Sequence, residues 1–248
     1  MSPRRQGPTT ARDTIMARIR EALRVPAAPP HLHDSPAPAS NGSRSLTVLP
    51  AESARPWLPD AGDTPAEQLA WFMERSEKLR AECHRVPDLP AAATIVVRMA
   101  SERQWRRVAC HDHPLVNEVA ARLPCDTLRT DASIADGAGF DKAALESCDA
   151  GITSCEALVA QTGSILVSSR TCGGRALSIL PHVHVVVATV EQLVGTLDDA
   201  LRTVRRRHHD RLPSMLSLIT GPSRTGDIER ILVLGAHGPR ELHVVVVG

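Results

Sequence analysis

The second half of the chain alternates short runs of β-branched and aliphatic residues with helical stretches, and this alternation limits its fold more than any other feature. "HVHVVVA" (182–188) and "ELHVVVV" (241–247) are apolar almost throughout. A strand with one wet face alternates apolar and polar residues, whereas a strand covered on both faces need not. "WRRVACH", "DTLRT", "AGITS", "GSILVSS" and "SMLSLIT" read as further strands. Between them, "HPLVNEVAARL", "DKAALESC", "CEALVAQ" and "TVEQLVGTLDDALRTVRRR" read as helices, the last opened by a capping box of Thr189 with Gln192. Strand–helix alternation of this kind predicts an α/β fold with a largely parallel sheet flanked by helices.

The first half is organised differently. In "RDTIMARIREALRV" the residues Ile15, Ile19 and Leu23 recur every four positions, which predicts an amphipathic helix. The domain reading is therefore an N-terminal helical arm over 1–24, a linker over 25–62 and an α/β domain over 63–248. The linker follows from nine of the 19 prolines falling between Val25 and Gln68, a composition that buries too little apolar surface to order itself. "DTPAEQLAWFMERSEKLRAECHRV" predicts a helix, with Pro65 in its first turn and a stripe of Leu69, Phe72, Met73 and Leu79. "AAATIVVRMASERQ" has a β-branched centre but reads as a helix from its Ala-rich start and Met-Ala-Ser-Glu-Arg end.

Composition excludes some functions. Net charge is +1 and there is no Tyr, with two Phe and three Trp. A dedicated nucleic-acid binder needs a basic face, and a single-strand binder needs stacking platforms. The apolar runs around 183–190 and 244–247 are too short to cross a bilayer. Residues 1–20 lack the apolar centre of a signal peptide, so a cytoplasmic location and free thiols are expected. The six cysteines form no C-x-x-C pair, the usual spacing for a zinc knuckle or an iron–sulfur cluster. No cofactor or metal is expected in the chain itself. His182 and His184 share a strand face but lack a local third ligand, and Cys148 and Cys155 lack a neighbouring His to activate them.

Three punctuated turns are the candidates for binding. Thr162, Gly163 and Ser164 form a polar turn before a strand. Gly221, Pro222, Ser223, Arg224, Thr225 and Gly226 follow a strand and precede Asp227. Gly235, His237, Gly238, Pro239, Arg240 and Glu241 lead into the last strand. Glycine lets backbone approach a ligand, hydroxyls donate, and the Arg224 fork matches a carboxylate or phosphate. A helix starting near Thr225 would add free N–H groups to an anion site. Arg224 pairing with Asp227 or Glu229 is the alternative. His237 reads either as an acid/base or as a packing residue. The Gly-Lys-Ser/Thr end of a P-loop is missing.

The segments "GITSCEALVAQTGSILV", "RALSILPHVHVVVATVEQLVGTLDDAL" and "SLITGPSRTGDIERILVLGAHGPRELHVVVV" resemble the lactate-utilization (LUD) domain family over roughly residues 105–248. Gln161 stands where that family commonly has an acidic residue, Gly226 where alanine is usual and His182 where proline is frequent. The resemblance implies a ribose-phosphate isomerase/CoA-transferase-like fold. It also implies a role as the cluster-free component of a bacterial system oxidising L-lactate to pyruvate. Its partners would then be a cysteine-rich protein and an iron–sulfur protein, the iron–sulfur clusters lying in those partners. The three turns match the family's pattern, which makes them candidates to hold a small carboxylate or a partner surface. Two other functions stay open: a stand-alone enzyme of that fold acting on a phosphorylated or CoA-linked small molecule, and a pure assembly subunit.

Overall fold

The computed structural model describes residues 11–22, 24, 58–130, 141–209, 211–225, 233–234 and 238–248. The chain divides into two units, Met1–Ala54 and Arg55–Gly248. Of the first, the described part is helix α1 (Ala11–Ala22), with Ile15 and Met16 exposed, and Arg24 beyond it.

The second unit is built on a six-stranded sheet ordered β1-β12-β7-β4-β2-β3. Its strands are β1 (Glu82–Val86), β2 (Arg107–Cys110), β3 (Asp126–Arg129), β4 (Ala150–Thr153), β7 (Val183–Thr189) and β12 (Glu241–Val247), and every pairing is parallel. Both faces are covered, as the unbroken apolar runs of β7 and β12 predict. Val185, Val187 and Val245 pack on one side with Val96, Met99 and Val116, which come from α3 (Leu89–Glu102) and α4 (Pro114–Ala120). Val186, Ala188, Val244 and Val246 point the other way. They pack with Leu69 and Phe72 of α2 (Pro65–Lys78) and with Leu158, Ile165 and Val167 of a second sheet. Over the β2 end of that side, Leu145 of α5 (Lys142–Glu146) packs with Ala109, Cys148 and Leu177.

The second sheet has the order β8-β5-β6-β9, with β5 (Ala157–Val159), β6 (Ser164–Ser168), β8 (Leu193–Val194) and β9 (Leu216–Ile219). Leu158 faces the first sheet, while Ala157, Val159 and Leu166 face Ala200 and Val204 of α6 (Leu197–His208). A short hairpin, β10 (Arg224–Thr225) with β11 (Val233–Leu234), completes the described elements.

Three expectations change. "CEALVAQ" is not a helix: Ala157, Leu158 and Val159 are fully buried between two layers and form β5. A short apolar run buried on both faces carries no periodicity to tell strand from helix. "TVEQLVGTLDDALRTVRRR" is not one long helix either. The capping box of Thr189 and Gln192 is present, but it opens a single 3-10 turn, Val190–Gln192. Leu193 and Val194 then pair with Leu158 and Val159, and Thr196 caps the true helix through a box with Asp199. Finally, the helix predicted over 63–86 stops at Lys78 and its "ECHRV" tail is β1. Arg80, at a φ of 70°, turns the chain between the two.

Candidate functional site

The predicted turns gather at the amino edge of the six-stranded sheet, where β12 and β7 begin. Arg240 N donates to His182 O at 2.8 Å, and Ser223 N donates to Pro239 O at 2.8 Å, so the second and third turns touch. The first turn joins them through a hydroxyl contact of 2.8 Å between Ser164 and Thr220, beside Gly221. The structure therefore brings Ser164, Gly221, Ser223, Gly238 and Arg240 into one neighbourhood. Arg224 and Arg240 are exposed, while His237 and Gly226 lie outside the described residues, as do Asp227 and Glu229. Thr225 itself is in a strand, and a helix start just after it falls outside the described residues.

Two of the glycines serve packing. Gly163 has a φ of 64°, and a Cβ on it would lie 2.7 Å from Ser76 N and 2.8 Å from Arg75 Cβ. Gly221, at a φ of 89°, would place a Cβ 2.5 Å from Leu79 O. Both turns are thus pressed backbone-first against the end of α2, and Ser76 Oγ donates to Gly163 O at 3.0 Å. Thr162 Oγ1 is buried without a hydrogen-bond partner.

At the opposite, carboxyl edge the strand ends converge with side chains that carry chemistry, the usual ligand position in parallel sheets. His111 follows β2, and its Nε2 accepts from Ser154 N, just past β4, at 3.2 Å. Arg129 Nη1 donates to Asn117 Oδ1 at 2.7 Å and to His111 O at 3.1 Å. Asn117 Nδ2 in turn donates to Asp112 Oδ1 at 2.8 Å. His113 caps α4 through Nδ1, which accepts from Leu115 N at 3.3 Å, and its ring centroid is 5.7 Å from that of His111. Burial, and then the nearby Arg207 cation, pull the His113 pKa below the usual imidazole value against the opposing charge of Asp112. Gln192 Nε2 donates to Cys155 O at 2.5 Å and to Ser154 Oγ at 3.3 Å.

Behind this edge lies Glu156, its side chain fully buried. Its Oε1 accepts from Ser168 Oγ at 2.7 Å, from Thr171 Oγ1, and from His208 Nε2 at 2.8 Å; its Oε2 accepts from Arg207 Nη1 at 2.6 Å. Burial alone would raise the carboxyl pKa. The hydrogen bonds of Thr171, Ser168 and His208, with the charge of Arg207, outweigh it and hold the pKa below the ordinary value, so Glu156 is a carboxylate. Cys155 and Cys172 have pKa values raised by burial, which keeps them as inert thiols.

Arg207 is the hinge of the arrangement. Its side chain is 44% exposed, with one nitrogen given to Glu156. A half-exposed guanidinium beside a neutral imidazole is suited to a carboxylate ligand. Farther along the outer face of α6, an open cleft of about 740 Å³ is lined by Asp199, Arg202, Arg205, Arg206 and His209. Sequence reading missed Glu156 and Arg207 because both sat inside predicted helices. The signal it had was the run "RRRHHD", which closes an amphipathic helix with more cations than a C-terminus requires. His182 and His184 do not act together: His182 is exposed, while His184 is buried and its Nε2 meets Thr153 Oγ1 at 2.9 Å. Among the described residues, Glu82, His84 and His243 bring donor atoms within 4.8 Å of one another at the amino edge.

Residues 69–247 match the family model of the LUD domain. Lactate utilization protein C of Deinococcus radiodurans is 35% identical over 132 residues, which cover 52% of this chain and 61% of that protein. Lactate utilization protein C of Shouchella clausii is 36% identical over 103 residues, or 41% of this chain and 45% of that protein. The matched stretch thus spans less than two thirds of these relatives' lengths. Among solved structures, a DUF162 family protein from Deinococcus radiodurans has a TM-score of 0.58 at 26% identity, covering 75% of this chain and all of that one. Among the described residues no helix is long and apolar enough to cross a membrane.

Proposed function

Because this chain belongs to the LUD domain family, we propose that it serves lactate utilization as a component without redox clusters of its own, working in the bacterial cytoplasm beside cysteine-rich and iron–sulfur partners. The observation that carries the reading is the match to relatives named lactate utilization protein C. The spread of the six cysteines supports the division of labour. Four are buried, and among the described residues they do not converge into the three- or four-thiolate set a cluster needs.

The carboxyl edge supplies a place for the substrate carboxylate. Arg207 keeps guanidinium N–H groups beyond the one given to Glu156, and Glu156 fixes their orientation from behind. His113, neutral and with Nδ1 already accepting from Leu115 N, offers its Nε2–H as a donor suited to a substrate oxygen. Oxidising a 2-hydroxy acid to the 2-oxo acid releases two protons and two electrons. This chain's residues hold the carboxylate, and both electrons and both protons pass to the partners and solvent.

The test is growth on L-lactate of a strain lacking this gene, complemented by variants. Arg207→Ala is expected to abolish growth while Arg224→Ala, at the amino edge, leaves it near normal, with expression and melting checked for each. Loss with Arg224→Ala alone would move the carboxylate to the turns. Normal growth of the deletion strain would overturn the lactate reading itself.

A second reading, as an assembly subunit, is favoured by one feature. β9 is an edge strand, and Leu216 and Leu218 on it are exposed together with the nearby Leu212. Co-purification of partners that survives Arg207→Ala but is lost in Leu216→Ser/Leu218→Ser would select it.

A further inference from the structure

We propose that Glu82, His84 and His243 form a binding site for a zinc-type divalent metal ion, at the amino edge of the sheet and on the face covered by α3. Register creates the site. β1 and β12 run parallel with Glu82 opposite His243, so these two side chains leave the same face, and His84 follows two residues along β1 on that face. One donor atom from each lies within 4.8 Å of the others. The positions are set by paired backbone, which a rigid ligand set requires.

His243 gives the second, independent observation. The residue is 1% exposed. Its Nε2 lies 3.3 Å from Glu241 Oε2, and Glu241 is itself held by Arg103. That contact assigns the ring proton to Nε2. Nδ1 then presents a lone pair, and it is buried with no hydrogen-bond partner. Glu82 Oε2 lies 3.2 Å from it, without forming a hydrogen bond and just as electron-rich. In that tautomer two lone pairs face each other across 3.2 Å with His84 beside them, a geometry that a cation can bridge. The arrangement of Glu241, His243 and an open Nδ1 is the carboxylate–histidine–metal relay in which the second nitrogen orients the first.

The donor set names the ion class. Two imidazoles and one carboxylate suit Zn²⁺, Co²⁺ or Ni²⁺, whereas Ca²⁺ and Mg²⁺ call for oxygen ligands. Zinc bonds of roughly 2.0–2.2 Å need the donors drawn somewhat closer. The Glu82 side chain is 64% exposed and free to rotate inward. Three protein ligands leave a fourth position toward solvent. The metal ties edge strand β1 to β12, and the inference is independent of the carboxylate reading at the opposite edge.

The experiment is titration of the purified full chain, stripped with chelator, with Zn²⁺ followed by calorimetry, and with Co²⁺ followed by its visible d–d absorption. One equivalent is expected to bind, to raise the melting temperature, and to give the intense spectrum of a four-coordinate N/O site. Glu82→Gln and His84→Gln, both toward the surface, are expected to weaken binding at least tenfold while melting like the parent in chelator. Glu241→Gln is expected to lose roughly 10- to 100-fold by disordering the His243 ring. Three outcomes would overturn the proposal: no binding by the parent chain, undiminished binding by the Glu82→Gln/His84→Gln double variant, or a thiolate-to-cobalt charge-transfer band.

Discussion

Glu156 shows how much can hang on one side chain. Its carboxylate collects Ser168, Thr171, His208 and Arg207, and three of these donors lie in the interior or at its rim. Glu156→Ala would leave them without an acceptor, at a cost on the order of 3 kcal/mol, read by urea unfolding. Arg207→Ala should cost less, because that guanidinium is half in solvent and can be replaced by water. His184 makes a different prediction. Burial lowers its pKa to about 3 from the ordinary imidazole value of 6.5. Between those two values the unfolded chain binds a proton that the folded chain refuses, so stability falls as pH drops through that window, by about 1.4 kcal/mol per unit at most. His184→Gln should flatten this slope in melting curves. Glu156 adds its own acid loss lower down: its stability is present above a pH of about 4.5 and disappears as pH falls through its depressed pKa. His184 was legible as a buried-strand residue. Its isolation from His182 was not, because strand parity says nothing about where a strand begins.

At the scale of elements, α2 is the piece on which the turns are set. Its start was signalled in the sequence by Pro65, and the structure adds a capping box of Thr64 with Glu67. Thr64→Ala should cost about 1 kcal/mol in thermal unfolding. Its end was less plain, because nothing local says that Gly163 and Gly221 will press against Ser76 and Leu79. Gly163→Ala combines a left-handed backbone with a 2.7 Å clash, and a loss of about 2 kcal/mol or more is expected in denaturant titration. The glycines drew attention as ligand cradles, and the structure gives these two a packing reason. β5 was misread for the same kind of cause. Three apolar residues look alike in a helix or a strand until their neighbours, here β6 and β8, are known.

For the whole molecule, the sequence pattern was enough for a parallel, doubly covered sheet, but not for the order of its strands. That order puts β12 beside β1, and so sets Glu82 and His84 next to His243. No spacing rule joins positions so far apart, which is why the sequence offered no such trio. Among the described residues, the apolar clusters all fall within the second unit. A fragment beginning at Arg55 is therefore expected to fold alone, with a single cooperative melting transition followed by circular dichroism.

The place of β12 bears on how the protein is made. β1 leaves the ribosome early and has no sheet partner, and β7 follows bare along one flank, until Glu241–Val247 has been synthesised and slots between them. Nascent chains stalled before that segment should cling to chaperones and yield to proteases, and release should switch both off together. A single late stretch of valines thus acts as the keystone of biosynthesis.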